Sequence, residues 1–137
     1  MKQLFVGLCA LLVLVSCSIN DDSPQLYYEF MPVDSVDIPE EFQLNHIYEI
    51  TMTYTRPDDC YAYSDVYYAN DGGNTRTVAV ICTVYQDDNC LPLDYPEYEV
   101  SFNFKPTSLG TYVFNFWQGE DENGEDQFMV IEVPVTE

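Results

Sequence analysis

Between Tyr48 and Tyr54 apolar and polar residues alternate without a break: Tyr48, Ile50, Met52 and Tyr54 fall on one side, and Glu49, Thr51 and Thr53 on the other. A period of two places successive side chains on opposite faces of an extended strand, so this segment buries one side of a sheet and wets the other. The pattern returns from Glu97 to Phe104, with Tyr98, Val100, Phe102 and Phe104 in phase, and from Thr111 to Trp117, with Tyr112, Phe114 and Phe116. No segment of the domain sustains a 3.6-residue apolar period, so the expected fold class is all-β.

Seven strands are expected: Leu26–Met31, His46–Tyr54, Tyr61–Tyr68, Arg76–Tyr85, Glu97–Phe104, Thr111–Trp117 and Phe128–Val135. Pro32, Pro57-Asp58-Asp59, the run Asn70 to Asn74, and Asn123-Gly124 punctuate them with residues that end strands or tolerate positive φ. Arg76–Tyr85 is apolar on both faces and reads as an interior strand. Seven short antiparallel strands in residues 26–137 fit one two-sheet sandwich better than a closed barrel.

One local motif sharpens that expectation. Ser108-x-Gly110-x-Tyr112-x-Phe114 resembles the Asp-x-Gly/Ala-x-Tyr-x-Cys segment of immunoglobulin domains. The resemblance implies an immunoglobulin- or fibronectin III-like sandwich in which the Tyr112 hydroxyl bonds back to the backbone at the corner before the sixth strand. Phe114 stands where that family has a cysteine, which removes the inter-sheet disulfide.

The start of the chain carries an address. Lys2 precedes an apolar run from Leu4 to Val15, and small Ser16 precedes Cys17; this is the pattern of a signal peptide over 1–16. The run is shorter than the roughly 20 residues that a membrane-spanning helix needs. Leu14-Val15-Ser16-Cys17 resembles the bacterial lipobox, which implies lipid attachment at Cys17 and a lipidated tether over 17–25. Ser18, in place of an aspartate, points to the outer membrane. The cluster Ser18-Ile19-Asn20-Asp21-Asp22 is similar to the surface-export signal of lipoproteins from the Bacteroidota. Together these imply an outer-membrane lipoprotein, lipid-anchored and exposed at the cell surface.

Twenty-four acidic side chains against four basic ones give a formal charge of −20, which excludes nucleic acid as a partner, because phosphate binding needs a basic footprint. Of the cysteines in the domain, Cys60 and Cys90 flank the two ends of the third-to-fourth-strand hairpin and are expected to form a disulfide. Cys82 is then a free, buried apolar residue. The rival pairing, Cys60 with Cys82, requires the hairpin loop to be Asn70 to Gly72.

Two groups of residues are candidate sites. Acidic loops gather Asp58, Asp59, Asp87, Asp88, Asp94 and residues 120–126 at one pole, where the immunoglobulin resemblance implies that the tether also emerges; there Asp121, Asn123, Glu125 and Asp126 are candidate calcium ligands. The alternative is a solvated acidic turn, and no other cofactor is expected. Tyr61, Tyr63 and Tyr67 are placed on one face of the third strand, with Trp117 as a neighbour and Tyr68 opposite, as a recognition surface or as cross-strand packing. His46 is the single histidine and no base is assigned to Cys82, so no nucleophile–base pair is legible. The expected function is a non-catalytic binding or adhesion module for a glycan or an envelope protein. A structural or accessory subunit of an envelope assembly is the alternative.

Overall fold

The computed structural model describes residues 25–137, so the segment 1–16 read as a signal peptide, the expected lipidation site Cys17 and all of the 17–25 tether but Gln25 lie outside the described residues. The alternating segments become β1 (Leu26–Met31), β4 (Tyr48–Thr55), β5 (Tyr61–Gly72), β6 (Thr75–Tyr85), β7 (Glu97–Phe104), β8 (Gly110–Glu120) and β9 (Asp126–Thr136). Two strands are additional to the seven expected: β2 (Val33–Asp37) and β3 (Phe42–Gln43). Pro32 explains the first of them. Lacking an N–H, it interrupts the ladder after Met31, and the chain crosses from one sheet to the other and resumes at Val33.

The strands form an all-β sandwich. The smaller sheet has the order β2-β4-β7, and the larger runs β6-β8-β9-β3 with β5 and β1 added at β6. One edge of β6 takes β5 along its length; the other is shared, Thr75–Val78 pairing with β8 and Val80–Tyr85 with β1. Two pairings, β6–β8 and β3–β9, are parallel, where only antiparallel ones were expected. The connection from β6 to β8 passes through β7 in the opposite sheet and so reverses direction twice, which leaves β6 and β8 running the same way.

Between the sheets, Ile50, Met52, Tyr54 and Phe104 from the smaller sheet meet Val78, Val80, Cys82, Phe114, Phe116 and Val133 from the larger. These are the in-phase residues of the alternating segments. The corner before β8 closes as the motif implies: the Thr107 N–H donates to the Tyr112 hydroxyl at 3.2 Å, and Ser108 Oγ lies 3.1 Å from the same oxygen.

Arg76 is also buried, with its guanidinium on the Tyr68 hydroxyl (2.9 Å), Asn70 Oδ1 (2.8 Å) and the carbonyls of Gly73 (2.9 Å) and Thr75 (2.8 Å). It also sits 5.2 Å from the centre of the Tyr112 ring. One side chain therefore ties the β5–β6 turn to the core edge. Gly72 and Gly73, with φ of 104° and 53°, supply the left-handed backbone that lets the turn close there.

Cys60 and Cys90 are bonded, with Cα atoms 5.5 Å apart, and Cys82 is free and buried. In the β5–β6 register Cys82 lies opposite Tyr63, so the rival pairing is not formed. At the same pole, Leu26 pairs with Tyr85 and the Gln86 N–H donates to the Gln25 carbonyl at 2.9 Å. The domain's first residues therefore lie beside the loop that carries Asp87 and Asp88.

Candidate functional site

The outer face of the larger sheet is built by register. Residues opposite one another in a ladder share a face, so Phe30 stands with Ile81, Tyr67 with Ala79, Asn115 with Thr77, and Trp117 with Phe128. All of these point away from the core, because their neighbours Met31, Val78, Val80 and Phe116 point into it.

This face is apolar where a wetted sheet face is ordinarily polar. Phe30, Tyr67 and Phe128 are each about two-fifths exposed, and Tyr28 is 68% exposed. The Phe30 ring lies 5.3 Å from Tyr67 and 5.7 Å from Trp117, at interplanar angles of 61° and 58°. Ala79 is only 2% exposed although it lies on the outer face, because the rings around it stand up as walls. The hollow above it measures 360 Å³ and is lined by Phe30, Tyr67, Thr77, Trp117, Phe128 and Asp126. On the other side of Phe30 a second hollow of 530 Å³ carries Tyr28, Glu29, Ser64, Asp65 and Ile81. The Trp117 indole N–H donates to Asp126 Oδ1 at 2.8 Å, which fixes the ring's tilt.

The tyrosines expected to act together are divided. Tyr61 and Tyr63 lie opposite Val84 and Cys82 and so face the smaller sheet, whereas Tyr67 lies opposite Ala79 on the outer face. The cause is a register shift between Tyr63 and Asp65, a bulge that turns the remainder of β5 over by one residue. Tyr67 and Trp117 thus share the aromatic face, joined by Phe30, Tyr28 and Phe128, which sequence reasoning did not single out. The alternation of Leu26, Tyr28 and Phe30 along β1 was the available signal. Tyr61 instead donates to Glu29 Oε2 at 3.3 Å, and Tyr68 packs on Phe102 with ring centres 5.9 Å apart.

The candidate calcium ligands have other occupations. Asp121 Oδ1 accepts from the backbone N–H groups of Asn123 (2.8 Å) and Glu125 (3.0 Å), and Asp126 Oδ1 is taken by Trp117. Asn123, Glu125 and Asp126 are exposed. At the pole of the disulfide, Asp58, Asp59, Cys60 and Cys90 bring ligand atoms within 4.8 Å of one another. Both sulfurs there belong to the disulfide, and the two carboxylates accept the N–H groups of Cys60 (2.9 Å) and Leu91 (2.7 Å). These acids tie down loops.

His46 is exposed, with Nδ1 3.2 Å from the Leu44 carbonyl. Burial pushes the Cys82 thiol up, so the thiolate is disfavoured. Burial also pushes its neighbour Tyr54 up to about 12. A raised phenol pKa means that the fold holds Tyr54 neutral: the stabilisation is complete below pH 10, the unfolded value, and is lost as pH rises from there through about 12. Two units correspond to about 3 kcal/mol. Denaturant midpoints should therefore fall steeply between about pH 10 and 12, and Tyr54→Phe should flatten that decline; an unchanged slope would remove Tyr54 as its source.

Searches with this chain against protein-family models, curated proteins and solved structures find no match.

Proposed function

We propose that the protein is a non-catalytic binding or adhesion module, held on the outer membrane through lipid on Cys17 and exposed at the cell surface, with a glycan or an envelope protein as its ligand. The observation that carries this reading is the apolar outer face around Phe30, Tyr67, Trp117 and Phe128, which no other part of the described domain covers. Exposed aromatic side chains give large contact area at small entropic cost, which suits recognition. The buried thiol and the solvent-exposed histidine support a non-catalytic role. A tether over 17–25 spans at most about 30 Å when extended, so the acidic pole beside Gln25 would sit near the membrane and leave the sheet face open to a partner.

A second reading, as a subunit of an envelope assembly, is favoured by the edge of β7, which pairs with β4 alone and offers free N–H and C=O groups for strand addition. Protease shaving of intact cells separates the two. Surface exposure predicts loss of the protein from unlysed cells. Protection until lysis would overturn the surface reading and favour the assembly subunit.

A further inference from the structure

We infer that the aromatic face is a receptor for the cationic side chains of a basic polypeptide segment, with Asp126 and Asp65 as the charged partners and Phe30, Tyr67 and Trp117 as the walls. This rests on the reading of that face as the binding surface, and narrows its ligand to one chemical class.

Ring geometry favours a cation over a sugar. A pyranose stacks face-on against a flat platform, but Tyr67 and Trp117 each stand at about 60° to the Phe30 ring around a small floor of Ala79 and Thr77. Tilted rings around a narrow floor present several π-faces to one compact group, the arrangement that attracts an ammonium or guanidinium. Each hollow also carries a carboxylate at its rim: Asp126 in the first and Asp65 in the second. Asp126 spends one oxygen on the Trp117 indole and Asp65 spends one on the Val66 N–H at 2.7 Å; the second oxygen of each is left to meet a ligand.

Charge complementarity points the same way. No lysine, arginine or histidine lines either hollow. Arg56 lies over the Tyr98 ring at 4.6 Å and Arg76 is buried at the core edge, so both arginines are engaged elsewhere. With a net charge of −20, an anionic ligand or a second copy of the same face is repelled, whereas a basic segment is drawn in. Two hollows on either side of Phe30 suit successive cationic side chains of one extended segment better than a single small amine.

Trp117 is the sole tryptophan, so its emission reports on this face directly. Titration with hexa-arginine at about 0.15 M salt should change that emission saturably. The double variant Asp65→Asn/Asp126→Asn keeps the amide acceptors that hold Val66 and Trp117 in place, and should weaken binding about tenfold or more. Removing the same charge at the pole, with Asp87→Asn/Asp88→Asn, should change affinity by less than about twofold, since at this ionic strength distant exposed charges are screened. Tyr67→Ser, which removes one wall, should also weaken binding, with only a small drop in the melting temperature from the lost contact with Phe30.

Equal losses in the two double variants would mean attraction by overall charge and would overturn the assignment. So would an emission change with chitohexaose and none with hexa-arginine, which would keep the face as a binding surface while transferring it to sugars. The shaving experiment is independent of either result, so failure here leaves the anchored-module reading standing.

Discussion

Replacing Phe114 with alanine is expected to remove about 3–5 kcal/mol of stability, enough to leave a domain of this size close to unfolding. Phe114 is fully buried and lies 5.0 Å from Phe104 and 6.1 Å from Phe42, ring centre to ring centre, with Phe116 at 5.9 Å and Tyr112 at 6.4 Å. Phe104 belongs to the smaller sheet and Phe114 to the larger, so this edge-to-face contact joins the two layers at the position where the immunoglobulin motif would place a disulfide cysteine. Loss of the ring forfeits its transfer energy, the aromatic contacts and the packing around the void. Denaturant unfolding of Phe114→Ala should give a much lower midpoint at similar slope. A loss below about 1 kcal/mol would mean that the core collapses around the vacancy and that the ring is not the inter-sheet anchor.

Breaking the Cys60–Cys90 bridge is the other large effect. The bond joins the β4–β5 connection to the β6–β7 connection across 30 residues of sequence, and in the chain-entropy account a loop of that length stabilises by about 3–4 kcal/mol. Cys60→Ser/Cys90→Ser should therefore lower the melting temperature by about 15–20 °C in a domain of this length. Reduction of the parent protein should have a comparable effect. The loops around the bridge are otherwise held by Asp58, through the Cys60 N–H, and by Asp59, through the Leu91 N–H, so their local order should partly survive. A shift of only a few degrees would show that residual structure in the unfolded chain already supplies most of the restraint that the bridge would otherwise impose.

Much of the fold was legible because period-two alternation reports which face of a strand is buried. β1 and β7 have the limits expected from Leu26–Met31 and Glu97–Phe104, and the Tyr112 corner was implied by the resemblance of Ser108 to Phe114 to the immunoglobulin segment. β3, at two residues, carries no periodicity to read, and β2 shows its inward face through Val33 and Val36 alone. The candidate site was half legible. Tyr67 and Trp117 line one hollow, but the bulge after Tyr63 exchanged the faces of β5, and a single extra residue in a strand leaves no mark in composition.

By itself the sequence determined that this domain is all-β and that its core draws on Tyr112, Phe114, Phe116, Ile50 and Met52, because local pattern and spacing constrain faces and turn positions; it favoured Cys90 over Cys82 as the partner of Cys60, a choice settled by the β5–β6 register. Which strands became neighbours was decided only in the tertiary structure. The passage of the chain through β7 made β6 and β8 parallel, and the sharing of one β6 edge by β8 and β1 brought Phe30 beside Trp117. Alternation specifies the side on which a residue lies but not what stands next to it, and the aromatic face is a property of neighbours.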